Sequence, residues 1–169
     1  MKKSFIIPSL AIVMFLGCSK KDSVEPESAP GSDIPGIEAI AITDEIQINA
    51  SDDMAYDKIL FKIKAAKQVK LNLKNIGKLP KEAMGHNVVI VNSETDINDF
   101  ALEALKEKSN DYIPQSAEMK NNTIAFTKLL GPGESDQISF TPTEPAVYKF
   151  LCTFPGHHGT SHGQIVVVK

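Results

Sequence analysis

From Glu38 onward the chain is dominated by alternation of polar and apolar residues. Glu45-Ile-Gln-Ile-Asn alternates as a strand with one buried face does. Ile59-Leu-Phe-Lys-Ile-Lys and Gln68-Val-Lys-Leu-Asn-Leu repeat the pattern, and Asn75-Ile-Gly-Lys-Leu-Pro breaks it with turn residues. Asn87-Val-Val-Ile-Val-Asn is a short continuous apolar run, as a buried strand shows. Then the period changes. Ile97, Phe100, Ala101, Ala104 and Leu105 follow helical spacing, with Thr95 placed to cap and Lys106-Glu-Lys before Asn110 at the end. This predicts one helix at about residues 95–108, inserted between strands. Leu129-Leu-Gly-Pro-Gly-Glu reads as a turn. Gln137-Ile-Ser-Phe-Thr, Ala146-Val-Tyr-Lys-Phe-Leu-Cys and Gly163-Gln-Ile-Val-Val-Val-Lys read as strands. Seven to eight short strands with turn signals between them predict an all-β antiparallel sandwich of Greek-key type.

The start of the chain follows other rules. Lys2 and Lys3 precede an apolar run from Phe5 to Leu16, which is too short for a comfortable membrane span. The run ends in Phe15-Leu-Gly-Cys18, which resembles the lipobox of bacterial lipoprotein signal peptides, although Leu is commoner where Phe15 stands. The resemblance implies cleavage before Cys18 and a lipid on its sulfur. An ordinary signal peptide, or a short membrane anchor with an incidental cysteine, is the plainer alternative. Ser19 to Gly36 is polar, contains Pro and Gly, and carries too little apolar surface to offset its ordering entropy. The expected organisation is therefore a signal peptide at 1–17, a flexible tether at 18–38 starting from a lipidated Cys18, and one domain at 39–169. That places the domain in a bacterial cell envelope, facing the periplasm or carried on an outer membrane.

Charge removes one class of partner. Lys and Arg number 18 against 21 Asp and Glu, for a formal charge of -3. No excess of cations is available to neutralise phosphates, which argues against nucleic acid.

Cysteine usage adds more. Cys18 and Cys152 are the two cysteines of the chain. With Cys18 lipidated, Cys152 is left without a disulfide partner in an oxidising compartment. A lone thiol there is an oxidation liability unless something such as a metal occupies it. In Phe150-Leu-Cys-Thr-Phe-Pro-Gly-His-His-Gly, Cys152 ends a strand, Pro155 and Gly156 make a turn, and His157 follows. A thiolate and an imidazole so placed can reach one ion. Met84-Gly-His86-Asn offers a third ligand at the start of another strand. One thiolate and two imidazoles are the ligand set of an electron-transfer copper site.

Three blocks carry a specific resemblance: Leu79-Pro-Lys-Glu-Ala-Met-Gly-His-Asn, Thr127-Lys-Leu-Leu-Gly-Pro-Gly-Glu and Cys152-Thr-Phe-Pro-Gly-His. In order and spacing they resemble the azurin family of blue copper proteins, within the cupredoxin superfamily, over roughly residues 40–169 of the chain. The resemblance implies a cupredoxin sandwich holding one copper ion that cycles between Cu(I) and Cu(II). It implies His86, Cys152 and His157 as equatorial ligands and the Gly85 carbonyl as a distant axial contact. It implies that Asn87 and Thr153 brace the ligand loops and that the Phe154 amide donates to the Cys152 sulfur. It also implies a docking surface for redox partners, such as cytochromes or reductases, that includes Ala83, Met84, Pro155 and Gly156.

Two departures from the family pattern stand out. Azurins carry Met four residues after the second histidine ligand, where this chain has Ser161 followed by His162. Three arrangements are open: Ser161 or a water approaches the metal, the site is three-coordinate apart from Gly85, or the loop shifts so that His162 binds. The azurins' N-terminal disulfide is also missing. His158 reads as surface or filler. The expected function is a membrane-tethered one-electron carrier and not an enzyme. The alternatives are a copper storage or delivery protein with a modified site, an enzyme acting at the metal, and a Cys–His hydrolase.

Overall fold

The computed structural model describes residues 28–169, so the expected signal peptide, Cys18 and most of the tether lie outside the described residues. Strand β1 (Glu45–Ser51) buries Ile46, Ile48 and Ala50 on one face, and β4 (Val69–Asn75) buries Val69, Leu71 and Leu73. They lie side by side with Ile46 level with Leu71 and Ile48 with Leu73. The alternation of each sequence therefore becomes one continuous apolar face. Each such side chain, fully buried, contributes roughly 1.5–3 kcal/mol. The hairpin strand β2 (Ala55–Tyr56) flanks β1, and β7 (Ser135–Phe140) flanks β4, completing a four-stranded sheet in the order β2-β1-β4-β7.

The second sheet has the order β3-β9-β8-β5-β6. Its strands are β3 (Leu60–Lys64), β9 (His162–Val168), β8 (Ala146–Leu151), β5 (Val89–Val91) and β6 (Thr123–Phe126). Phe61, Ile63, Phe150, Ile165 and Val167 from this sheet pack with the inner residues of the first, forming the sandwich core. Helix α1 (Lys81–Met84) leads toward β5, α2 (Ile97–Ala104) follows it, and α3 (Ala117–Asn122) runs into β6. The apolar run at β5 is explained by burial on both sides. Val88 and Ile90 join the main core, while Val89 and Val91 meet Phe100, Ala101, Ile113 and Leu151 under α2.

The all-β sandwich of the cupredoxin type stands, with refinements. The described residues hold nine strands rather than seven to eight, because β2 and β6 are too short and irregular to show a period. They hold three α-helices rather than one. The inserted helix is Ile97–Ala104, shorter than 95–108, and Asp96 caps it by accepting from the Asn98 and Asp99 amides. Such a cap is worth about 1 kcal/mol. Thr95 is buried and donates instead to Asn92 Oδ1. The pairings β1–β4 and β3–β9 are parallel. Alternation reports which face is buried and is blind to strand direction, so an all-antiparallel expectation could not detect these crossovers. At the domain's start, Gly31 and Ile37 are buried, and a Cβ on Gly31 would touch Val166. Packed chain thus begins before residue 39, ahead of the expected end of the tether.

Candidate metal centre

The register of β5 against β8 builds the site. Val89 lies opposite Leu151 in this antiparallel pair. The residues just beyond, His86-Asn87 on one strand and Cys152-Thr153 on the other, therefore emerge together at one end of the sheet. The Asn87 amide crosses this gap: Nδ2 donates to Thr153 Oγ1 at 2.8 Å and to the Asp111 carbonyl at 3.1 Å. In return Oδ1 accepts from the Thr153 backbone N–H at 2.9 Å. His86 is also pinned through its backbone, exchanging hydrogen bonds with Leu130 at 3.1 and 2.7 Å. Gly85, buried beside it, has no room for a side chain. A Cβ there would lie 2.8 Å from the Lys81 carbonyl oxygen and 3.0 Å from Leu129 Cγ.

After Cys152 the chain folds into a tight loop. Gly156 takes φ of 85°, a left-handed conformation open to glycine at little cost. His157 N–H donates to the Phe154 carbonyl, Ser161 N–H to the His157 carbonyl, and Cys152 N–H to the Ser161 carbonyl at 2.8 Å. This closed loop brings His157 back beside Cys152, with Sγ and Nδ1 3.6 Å apart. The His86 and His157 rings face each other with centroids 4.7 Å apart. Ligand atoms of His86, Cys152 and His157 all lie within 4.8 Å of one another, and the three residues are 0%, 0% and 2% exposed.

The electrostatics of this pocket keep its three groups neutral while it holds no cation. Burial pushes the Cys152 thiol up to about 11, and burial with the neighbouring His86 pushes His157 down to about 4. Burial also lowers His86. Each shift disfavours the charged form in a dry site. Both ring nitrogens of His86 are buried without a hydrogen-bond partner. A buried orphan of this kind costs about 1–3 kcal/mol. A metal ion would use one of these nitrogens, and its charge would reverse the preference of the thiol. One soft thiolate with two imidazoles suits copper.

The other predicted residues fall in two groups. Burial dominates at the Cys152 thiol, with the Asn87 and Phe154 backbone amides acting weakly against it, while the Phe154 ring packs 4.8 Å from His157 and edge-on to Tyr112. Pro155, Gly156 and Ala83 are exposed and Met84 is half-buried. Ser161 is buried, but its hydroxyl donates to the Met54 carbonyl at 2.6 Å. His162 is not brought to the cluster. It is exposed, with Nδ1 2.8 Å from the His158 carbonyl oxygen.

Sequence reasoning passed over the hairpin that closes this side. Met54, at φ of 55°, turns its carbonyl onto the hydroxyls of both Thr160 and Ser161. Tyr56 inserts its ring beside Phe150 and donates its hydroxyl to the Asn87 carbonyl. The available signal was a large amphipathic ring in a strand too short to register as one. Asp111, also at positive φ, was missed too. Its carbonyl holds Asn87, and its carboxylate accepts from the Leu129 amide.

Comparison with known proteins gives the same picture. Residues 42–168 match the family described as copper binding proteins, plastocyanin/azurin family. Azurin of Alcaligenes faecalis is 37% identical over 126 residues, spanning 72% of this chain and 95% of that protein. Outer membrane protein H.8 of Neisseria gonorrhoeae is 34% identical over 125 residues, 72% of this chain and 66% of that protein. Among solved structures, reduced auracyanin from Roseiflexus castenholzii superposes with a TM-score of 0.67 at 32% identity, covering 76% of this chain and all of that one. Auracyanin A, a blue copper protein from Chloroflexus aurantiacus, gives 0.65 at 26% identity, covering 75% of this chain and 99% of its own.

Proposed function

Since this chain belongs to the plastocyanin/azurin family of copper-binding proteins, we propose that it carries single electrons between protein partners in a bacterial cell envelope. The supporting observation is the buried His86–Cys152–His157 cluster, in which both His86 nitrogens lack any protein partner. When bound there, copper supplies a one-electron Cu(I)/Cu(II) couple.

The chain's own residues keep the ligands still. His86 is fixed through Leu130, Cys152 through the Ser161 carbonyl, and the two ligand segments are bolted together by Asn87 and Thr153. A site that reorganises little between oxidation states exchanges electrons rapidly. Ser161 stands where azurins carry methionine, and its hydroxyl donates to the Met54 carbonyl. His86, Cys152 and His157 would hold the copper, with the Gly85 carbonyl as a further candidate contact. The exposed Pro155, Gly156 and Ala83, with Met84, form the face on which a redox partner docks.

The tether and lipid at Cys18 belong to the same proposal. The Neisseria relative, by its name an outer membrane protein, supports it. Mass spectrometry of the membrane fraction tests it: a diacylglyceryl mass on Cys18, absent in Cys18→Ala, is expected, and soluble unmodified protein would refute it.

Voltammetry tests the carrier reading. The copper-loaded protein gives a reversible one-electron wave and keeps its copper through repeated cycles beside a chelator. Copper lost to the chelator on reduction would replace the carrier with a storage or delivery protein.

A further inference from the structure

The molecule holds one buried hydroxyl at the metal centre that the functional reading does not use. Tyr56 is 6% exposed, lies on the short second strand of the β1–β2 hairpin, and packs against Phe150 with ring centroids 5.7 Å apart. Its hydroxyl donates to the Asn87 carbonyl. Asn87 is the residue that follows one histidine ligand, and its side chain clamps the residue that follows the cysteine.

We propose that Tyr56 is a positioning residue of the copper site, fixing the Asn87 backbone between the His86 ligand and the Thr153 clamp. This rests on the copper reading. The same hairpin carries the Met54 carbonyl that takes the Ser161 hydroxyl, so one short hairpin holds both the thiolate side and the side where the methionine is missing. A phenol has one proton to give, and here the Asn87 carbonyl takes it.

Without the hydroxyl the Asn87 carbonyl loses its partner, and the segment between the His86 ligand and the Thr153 clamp is free to shift, which changes the ligand geometry.

Tyr56→Phe removes the hydroxyl and keeps the ring. The experiment compares parent and Tyr56→Phe, both copper-loaded, by voltammetry and visible absorption, and the copper-free forms by urea unfolding. The expected result is a shifted potential and a displaced thiolate–copper absorption in the variant. A variant that loses stability while matching the parent in potential and spectrum would reduce Tyr56 to a packing residue and overturn the proposal. Failure of the copper reading looks different: the parent itself would then show no thiolate–copper band.

Discussion

Asn87→Ala removes the brace between the two ligand segments. Asn87 is 0% exposed, and its side chain donates to Thr153 Oγ1 and the Asp111 carbonyl at 2.8 and 3.1 Å and accepts from the Thr153 N–H and hydroxyl at 2.9 and 3.2 Å. Alanine leaves a backbone donor and a backbone acceptor facing a small void. Hydroxyl rotation can satisfy Thr153 Oγ1 elsewhere, but the Thr153 N–H and the Asp111 carbonyl are fixed. At about 1–3 kcal/mol for each stranded group, the copper-free protein should lose about 2–6 kcal/mol. Asp111 sits at φ of 55°, so its strained turn loses one of its two anchors and relaxes with it. The assay is urea unfolding of the copper-free protein, followed by far-ultraviolet circular dichroism and analysed by linear extrapolation. The copper-loaded variant should also release its ion to a chelator faster than the parent does. A loss below about 1 kcal/mol with unchanged copper release would refute the claim that this amide couples the two ligand segments.

Two further outcomes are expected. Gly163→Ala would put a Cβ 2.3 Å from the Ile59 carbonyl oxygen and 2.4 Å from the Phe150 ring, so thermal unfolding should show a loss of at least about 2 kcal/mol; an unchanged transition would mean the two sheet strands can move apart. In the copper-free protein His157 is held down at about 4 against 6.5, so below pH 6.5 the unfolded chain binds the extra proton, and stability should fall as pH drops from about 6.5 to about 4, by roughly 2–3 kcal/mol. His86 is lowered in the same direction. Urea titrations at several pH values check this, and stability that is flat or rising toward acid would contradict it.

The sequence exposed the parts of this molecule in which one residue's chemistry speaks for itself. Ile46, Ile48, Leu71 and Leu73 declared a buried face by alternation, and the Cys152–His157 loop declared its closure through Pro155 and Gly156. The direction of β4 against β1 was not legible, because the same alternation serves parallel and antiparallel neighbours. Helix α3 and strand β6 were not legible because Ile124 and Phe126 remain largely exposed at a sheet edge, leaving no periodic burial to detect. The ligands were placed by motif, yet their support from Tyr56, Met54 and Asp111 was invisible. These residues act from turns and a two-residue strand, through contacts that span 24 to 107 positions along the chain, and no local pattern encodes such contacts.

The central claim is that Cys152 binds copper as a thiolate inside a closed two-histidine site. Visible absorption of the Cu(II)-loaded protein, beside that of Cys152→Ser, tests it most directly. The account predicts an intense absorption toward the red that disappears on reduction and is missing from Cys152→Ser. A parent protein that takes up Cu(II) without this band, or a band that survives in Cys152→Ser, would contradict it.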